Sequence, residues 1–182
     1  MSRIPTPSTI DASPAASQPL LEAVKKQLGS VPNLFRIVGN SPAGLEGYLG
    51  LSGGLGKGAL DQKTRQRIAV LVAELNGCEY CLSAHTYLGK NLAKLDDVEL
   101  DRNRAAESDD PKARAALQLA EKIVRTRGHV EAADVDAATS AGFSDAQIVE
   151  IILHVALNTL TNYVNSVADT DIDFPVVTHH PR

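Results

Sequence analysis

Cys78 and Cys81 are the only two cysteines in the chain, and His85 follows the second by four residues. Two thiols at C-x-x-C spacing can close a small disulfide ring and reopen it, the basis of reversible dithiol chemistry. Cysteines three apart on a regular helix have Cβ atoms about 5 to 6 Å apart, whereas a disulfide needs about 3.8 Å, so the pair must sit where the backbone is locally tighter. Asn76 and Gly77, both helix-stop residues, precede Cys78 and predict that a new helix opens there, with its first residues outside the regular ladder. Unpaired amides and the positive helix end favour the thiolate, which an ordinary thiol with a pKa of about 8.5 forms only to a few per cent near neutrality. His85, one turn after Cys81, faces the same side and can accept the thiol proton or pair with the thiolate. The helix-end argument by itself favours Cys78 as the nucleophile, since Cys78 lies nearer the positive end.

Other chemistries compete for the same residues. Cys78, Cys81 and His85 could bind zinc with His154 or Glu74 as a fourth ligand, although the spacing matches none of the common ligand frames. Covalent haem attachment would need histidine directly after the second cysteine, where Leu82 stands. The run Gly53, Gly54, Gly56, Lys57, Gly58 resembles a phosphate loop, but that motif needs glycine at Leu51 and a hydroxyl residue at Gly58. It reads as an inter-helix turn. His154, Asn158 and Asn165 form a polar stripe within an apolar segment and read first as a seam at a helix or subunit interface. His179 and His180 belong to the tail.

The surrounding composition narrows the class. The 182 residues are 43% hydrophobic and 22% charged, enough for a core and unlike a disordered or fibrous chain. A net charge of −4 leaves no cationic excess for a phosphate backbone, which argues against nucleic acid as a partner. The start, Met1 to Pro14, carries no apolar block of signal-peptide length, so a cytoplasmic location is expected. Ile151 to Ala168 has no formal charge, yet His154, Asn158, Asn162 and Asn165 interrupt it, and a buried bundle helix is expected rather than a membrane span.

Periodicity and caps place the elements. Residues 1–17, rich in Pro, Ser and Thr, read as an extended arm that could wrap a neighbouring surface. Helices are predicted over Gln18 to Leu28, Pro32 to Val38, from Ser41 and Pro42 to a fade at Gly53 and Gly54, and over Gln62 to Leu75 with an apolar stripe of Ile68, Leu71, Val72 and Leu75. Further helices run from Cys78 to about Leu92, Asp96 to Arg104, Asp110 to Gly128, 131 to 141, and about Asp145 to Ala168 behind a Ser144–Gln147 capping box. Residues 169–182 form an extended tail, leaving a single domain over 18–168 with its redox core at about 60–92. Alternating strand patterns are missing, and the fold class is all-α.

The segment LDQKTRQRIAVLVAELNGCEYCLSAHTYLGKNL, Leu60 to Leu92, with N-G-C-E-Y-C-L-S-A-H at its heart, resembles the AhpD-like alkyl hydroperoxidase branch of the carboxymuconolactone decarboxylase superfamily. The closing H-V-A-L-N-T-L-T-N-Y-V-N is similar to its peroxidase-related members. The resemblance implies an AhpD-like helical bundle, homo-oligomeric, that needs no bound cofactor. It implies Cys81 as the peroxidatic thiol that becomes a sulfenic acid, Cys78 as the resolving thiol, and His85 in a proton relay. The implied partners are a small hydroperoxide, a dihydrolipoyl protein or other dithiol reductant, and a peroxiredoxin. The family commonly carries a relay glutamate twelve residues before the first cysteine, and that position here is Gln66. An amide orients a neighbour but does not accept and return a proton at neutral pH, so Glu74 is the alternative acid.

Two other readings stand beside this one. Other branches of the superfamily are lyases acting on a lactone acid, a chemistry that needs no pair of cysteines. A non-catalytic helical oligomer whose thiols bind zinc or sense redox state is the third.

Overall fold

The fold is described from a computed structural model over residues 2–180; the outermost residue of the arm and residues 181–182 of the tail lie outside the described residues. Among the described residues every regular element is helical: a 3-10 turn at Ala15–Ser17, then α1 (Gln18–Leu28), α2 (Asn33–Val38), α3 (Pro42–Leu55), α4 (Gln62–Asn76), α5 (Glu79–Asn91), α6 (Asp97–Arg104), α7 (Pro111–Thr126), α8 (Ala132–Ser140) and α9 (Asp145–Ala168). The all-α expectation holds.

α4 is the axis of the bundle. Asp61 caps it by accepting the amide of Thr64 at 2.9 Å, satisfying one of the unpaired donors of its first turn. Six consecutive residues, Ile68 to Ala73, are buried, where periodicity predicts a single apolar stripe. A helix apolar all round is one enclosed on all sides, and α4 packs against α5, α6, α7 and α9. Val70 faces the cluster that holds the cysteines, while Ile68, Leu71 and Val72 face the one formed with α7 and α9.

α3 runs through Gly53 and Gly54 to Leu55 instead of fading at them. Its start is fixed by Pro42 in the first turn and by the Ser41 hydroxyl, which accepts the amide of Gly44 at 3.1 Å. The loop beyond it is tied to α9 by Glu150, whose carboxylate accepts the amides of Ala59 and Leu60 at 2.8 Å each. α9 itself begins with the expected capping box, Ser144 and Gln147.

The described part of the N-terminal arm lies on its own chain rather than reaching outward. Arg36 donates to the carbonyls of Pro7 and Ser8, Asn40 to that of Pro5, and the amide of Arg3 to Ala168 at the end of α9. The tail crosses α5: Phe174 packs edge-on against Tyr80, and Ser83 pairs with the backbone of Val177. Among the described residues no single helix is long and apolar enough to cross a membrane. One face of α9 nevertheless presents Val149, Ile152, Leu153, Leu160, Tyr163 and Val167 to the outside, with Tyr163 and Val167 at 63% and 66% exposure.

Candidate functional site

The chemistry-bearing residues meet at the junction of α4 and α5. Gly77 takes the left-handed conformation, φ +66°, that an L side chain resists, and the next amide, Cys78 N–H, returns to the carbonyl of Ala73 at 2.9 Å. Cys78 therefore closes α4 and at the same time serves as N-cap of α5, in extended conformation. The helix starts at Glu79, one residue later than the spacing predicts. This tight reversal supplies the departure from regular geometry that a C-x-x-C pair requires. Cys78 Sγ accepts the amide of Cys81 at 3.3 Å, and the two sulfurs stand 2.7 Å apart as free thiols.

The two sulfurs are electrostatically unequal. The Cys81 thiol is pushed down in pKa, chiefly by the hydrogen bond from Cys78; burial opposes this, and the Asn162 and Asn165 amides add to the lowering. Cys78 is pushed up by that same bond and by burial. Of the two thiols, Cys81 is therefore the one that gives up its proton first. The helix-end argument, which favours Cys78, rests on one backbone amide and is outweighed by side-chain donors aimed at Cys81.

His85 projects from α5 one turn beyond Cys81, and its Nδ1 lies 3.0 Å from the side-chain oxygen of Gln66 on α4. Among the described residues it makes no hydrogen bond to either sulfur. Burial, reinforced by the charge of nearby His154, pushes its pKa down to about 4, so the ring is neutral near pH 7. His154 is likewise pushed to about 4, mainly by burial, and its Nε2 is buried without a partner.

Residues 42–122 match the Carboxymuconolactone decarboxylase family. Over 94% of this chain and 92% of the other, the fold superposes on an AhpD-core, peroxidase-related protein of Ralstonia eutropha JMP134, with TM-score 0.84 and 25% identity. A peroxidase-related protein of Silicibacter sp. TM1040 gives TM-score 0.80 and 26% identity over 94% of each chain. Residues 42–122 thus carry a carboxymuconolactone decarboxylase family region, on the fold of the AhpD-like, peroxidase-related proteins. The debrominase Bmp8 bound to 2,3,4-tribromopyrrole shares the fold at TM-score 0.78, with 21% identity over 95% of this chain and 94% of that one. No curated protein matches the chain.

Within this AhpD-like fold the chain carries the cysteine pair and the histidine and brings Gln66 against that histidine. Glu74 is placed elsewhere. Its carboxylate accepts Arg104 Nε at 2.8 Å and the backbone amide of His180 at 2.8 Å, locking α4 to α6 and the tail. It turns away from the thiols because Gly77 breaks the helix that would have kept Glu74, Cys78, Cys81 and His85 on one face. A zinc site drawing on Glu74 loses that ligand, and among the described residues no three His, Cys, Asp or Glu side chains converge at metal-binding geometry.

The sequence reading missed the partners that α9 and α3 supply. Asn165 donates from Nδ2 to Cys81 Sγ at 3.2 Å, bridging 84 positions of sequence. Asn162 is wholly buried beside it and accepts Asn76 Nδ2 at 2.8 Å. Tyr48 of α3 is pushed up to about 12, by burial and then by the charge of Cys81, and so stays protonated. The signal for the asparagines was the polar stripe itself; Tyr48 carried none. Both cysteines are only 2% exposed. Tyr48 and Val164 pack against the cluster that contains them, together with Ile172, Phe174 and Val177 of the tail.

Proposed function

We propose that this protein is a thiol-dependent peroxidase. The Cys81 thiolate attacks one oxygen of a hydroperoxide; the O–O bond breaks, an S–O bond forms, and the leaving alkoxide takes a proton to become an alcohol. Cys81 is then a sulfenic acid. The Cys78 sulfur attacks the Cys81 sulfur, the S–S bond forms, and the hydroxyl leaves with the Cys78 proton as water. A dithiol reductant restores both thiols by exchange and leaves as its own disulfide. The observation that carries this reading is the 2.7 Å contact between Cys78 and Cys81, with the lowered pKa on Cys81 and the raised one on Cys78.

The surroundings determine what can react. Sulfurs this buried favour a small or slender oxidant and require the side chains over them to move during turnover. Neutral His85, with Nδ1 facing the Gln66 oxygen, presents an Nε2 lone pair that can take up a proton and hand it on toward the leaving oxygen. Gln66 orients that ring but exchanges no proton, so turnover is slower than a relay glutamate would allow. A dihydrolipoyl group is the expected class of electron donor, with a peroxiredoxin as a possible oxidised client. The apolar face of α9 supports self-association into a homo-oligomer, since its exposed side chains are continuous along the helix.

Hydroperoxide consumption by the reduced protein with a lipoyl dithiol tests the reading, with Cys78→Ser and Cys81→Ser beside the wild type. Loss of turnover in both variants supports it. Unchanged turnover in both overturns it.

A further inference from the structure

The polar stripe on α9 has a partner the proposed reaction does not yet use. Asn165 is 3% exposed, its Nδ2 donates to Cys81 Sγ at 3.2 Å, and its Oδ1 is buried without a partner. Asn162, one turn earlier on the same face and 0% exposed, is oriented by Asn76: its Oδ1 accepts Asn76 Nδ2, which leaves its buried Nδ2 without a close oxygen or nitrogen partner and free to act on Cys81, whose thiol pKa it lowers. Orphaned buried amide atoms are costly, and folded proteins retain few of them. The Nδ2 donors of both amides act on one sulfur, and this fits an anion there, because a thiolate takes several donors where a neutral thiol is a weak acceptor.

Other members of the stripe act differently. Asn158 donates to the carbonyl of His154 in its own helix, and Thr161, whose hydroxyl donates to the carbonyl of Asn158 at 2.9 Å, lowers the Cys81 thiol less than either asparagine does. Among the described residues Asn158 makes no hydrogen bond to either sulfur. The titratable groups around Cys81 are the thiol of Cys78 and the protonated phenols of Tyr48 on α3 and Tyr80 on α5. Among the described residues the donors at Cys81 are neutral dipoles and not a cation, and His85 makes no bond to it.

We propose that Asn165 and Asn162 are positioning residues that hold the Cys81 sulfur as a thiolate, with Asn76 setting the orientation of the Asn162 amide. This deepens the peroxidase reading by assigning activation of the nucleophile to α9, while its readout needs no peroxide.

Thiolate absorbance near 240 nm, followed against pH on the reduced full-length protein, reads the ionisation without requiring a reagent to reach the buried sulfur. Wild type is expected to begin ionising below the ordinary thiol pKa of about 8.5. Asn165→Leu moves that first midpoint up by about one pH unit, roughly a tenfold loss of thiolate at fixed pH, and Asn165→Gln restores part of it. Asn76→Ala gives a smaller upward shift, and Asn158→Ala gives none. Should Asn165→Leu fail to fold, Asn165→Ser and Asn76→Ala carry the test. A midpoint unmoved in the folded variants, or moved equally by Asn158→Ala, overturns the proposal and leaves a structural seam. A low midpoint in a protein that consumes no peroxide sinks the peroxidase reading alone; a normal midpoint with active turnover sinks this one alone.

Discussion

Gln66 and His85 are joined across α4 and α5 at 3.0 Å, oxygen to Nδ1. An amide oxygen only accepts, so Nδ1 carries the hydrogen and Nε2 is left as the basic nitrogen. A carboxylate at position 66 would keep that tautomer and add a charge. Gln66→Glu is therefore expected to raise the His85 pKa from about 4 by more than one unit and to increase peroxide turnover severalfold. NMR titration of the histidine ring protons with parallel initial rates measures both. An unmoved His85 titration would break the assigned contact.

Acid should destabilise this fold through two histidines. His85 and His154 titrate at about 4 when folded and near 6.5 when unfolded. Between those values the unfolded chain binds protons that the folded chain refuses, so stability falls as pH drops through the window and the effect ends below about 4. The slope is at most about 1.4 kcal/mol per pH unit for each ring, less for the partly exposed His85. Denaturant midpoints at pH 7.5 and 5 in wild type and His154→Gln report it, with a shallower pH dependence expected in the variant.

Gly58 leaves room for a carboxylate. A Cβ there would stand 2.5 Å from an oxygen of Glu150, which holds the amides of Ala59 and Leu60. Gly58→Ala displaces that side chain and is expected to cost about 1 to 2 kcal/mol, or roughly 2 to 8 °C in Tm for a chain this size. In a Glu150→Ala background the same change should cost little. Thermal unfolding of the four proteins closes the cycle; equal costs in both backgrounds would rule out the Glu150 link.

Much of the fold was legible in local signals. Pro42, Asp61, Ser144 and Gln147 announce their helix starts chemically, and Gly77 announces the reversal that puts Cys78 at a helix end. Glycines 53 and 54 misled because a helix anchored at both ends tolerates them. The central position of α4 was hidden, since a stripe can be read from one helix but enclosure depends on four others. Cys78, Cys81 and His85 lie within eight residues and could be read directly. Asn165 and Tyr48 reach the sulfur from distant helices, and the pairing of Glu74 with Arg104 depends on where α6 docks. Spacing along one segment cannot encode such meetings.

The exposed face of α9 makes the proposed self-association testable. Leu160→Glu with Tyr163→Asp puts charge into the apolar stripe and is expected to reduce the mass measured by light scattering while leaving helix content intact. Wild type already monomeric at working concentration would remove this face as an interface.

The most direct test of the central claim is intact-protein mass after one equivalent of hydroperoxide is added to the fully reduced chain. Oxidation of Cys78 and Cys81 to an internal disulfide predicts a loss of about 2 Da in wild type, a gain of about 16 Da on Cys81 in Cys78→Ser, and no change in Cys81→Ser. Wild type that keeps both thiols while the peroxide persists would contradict it.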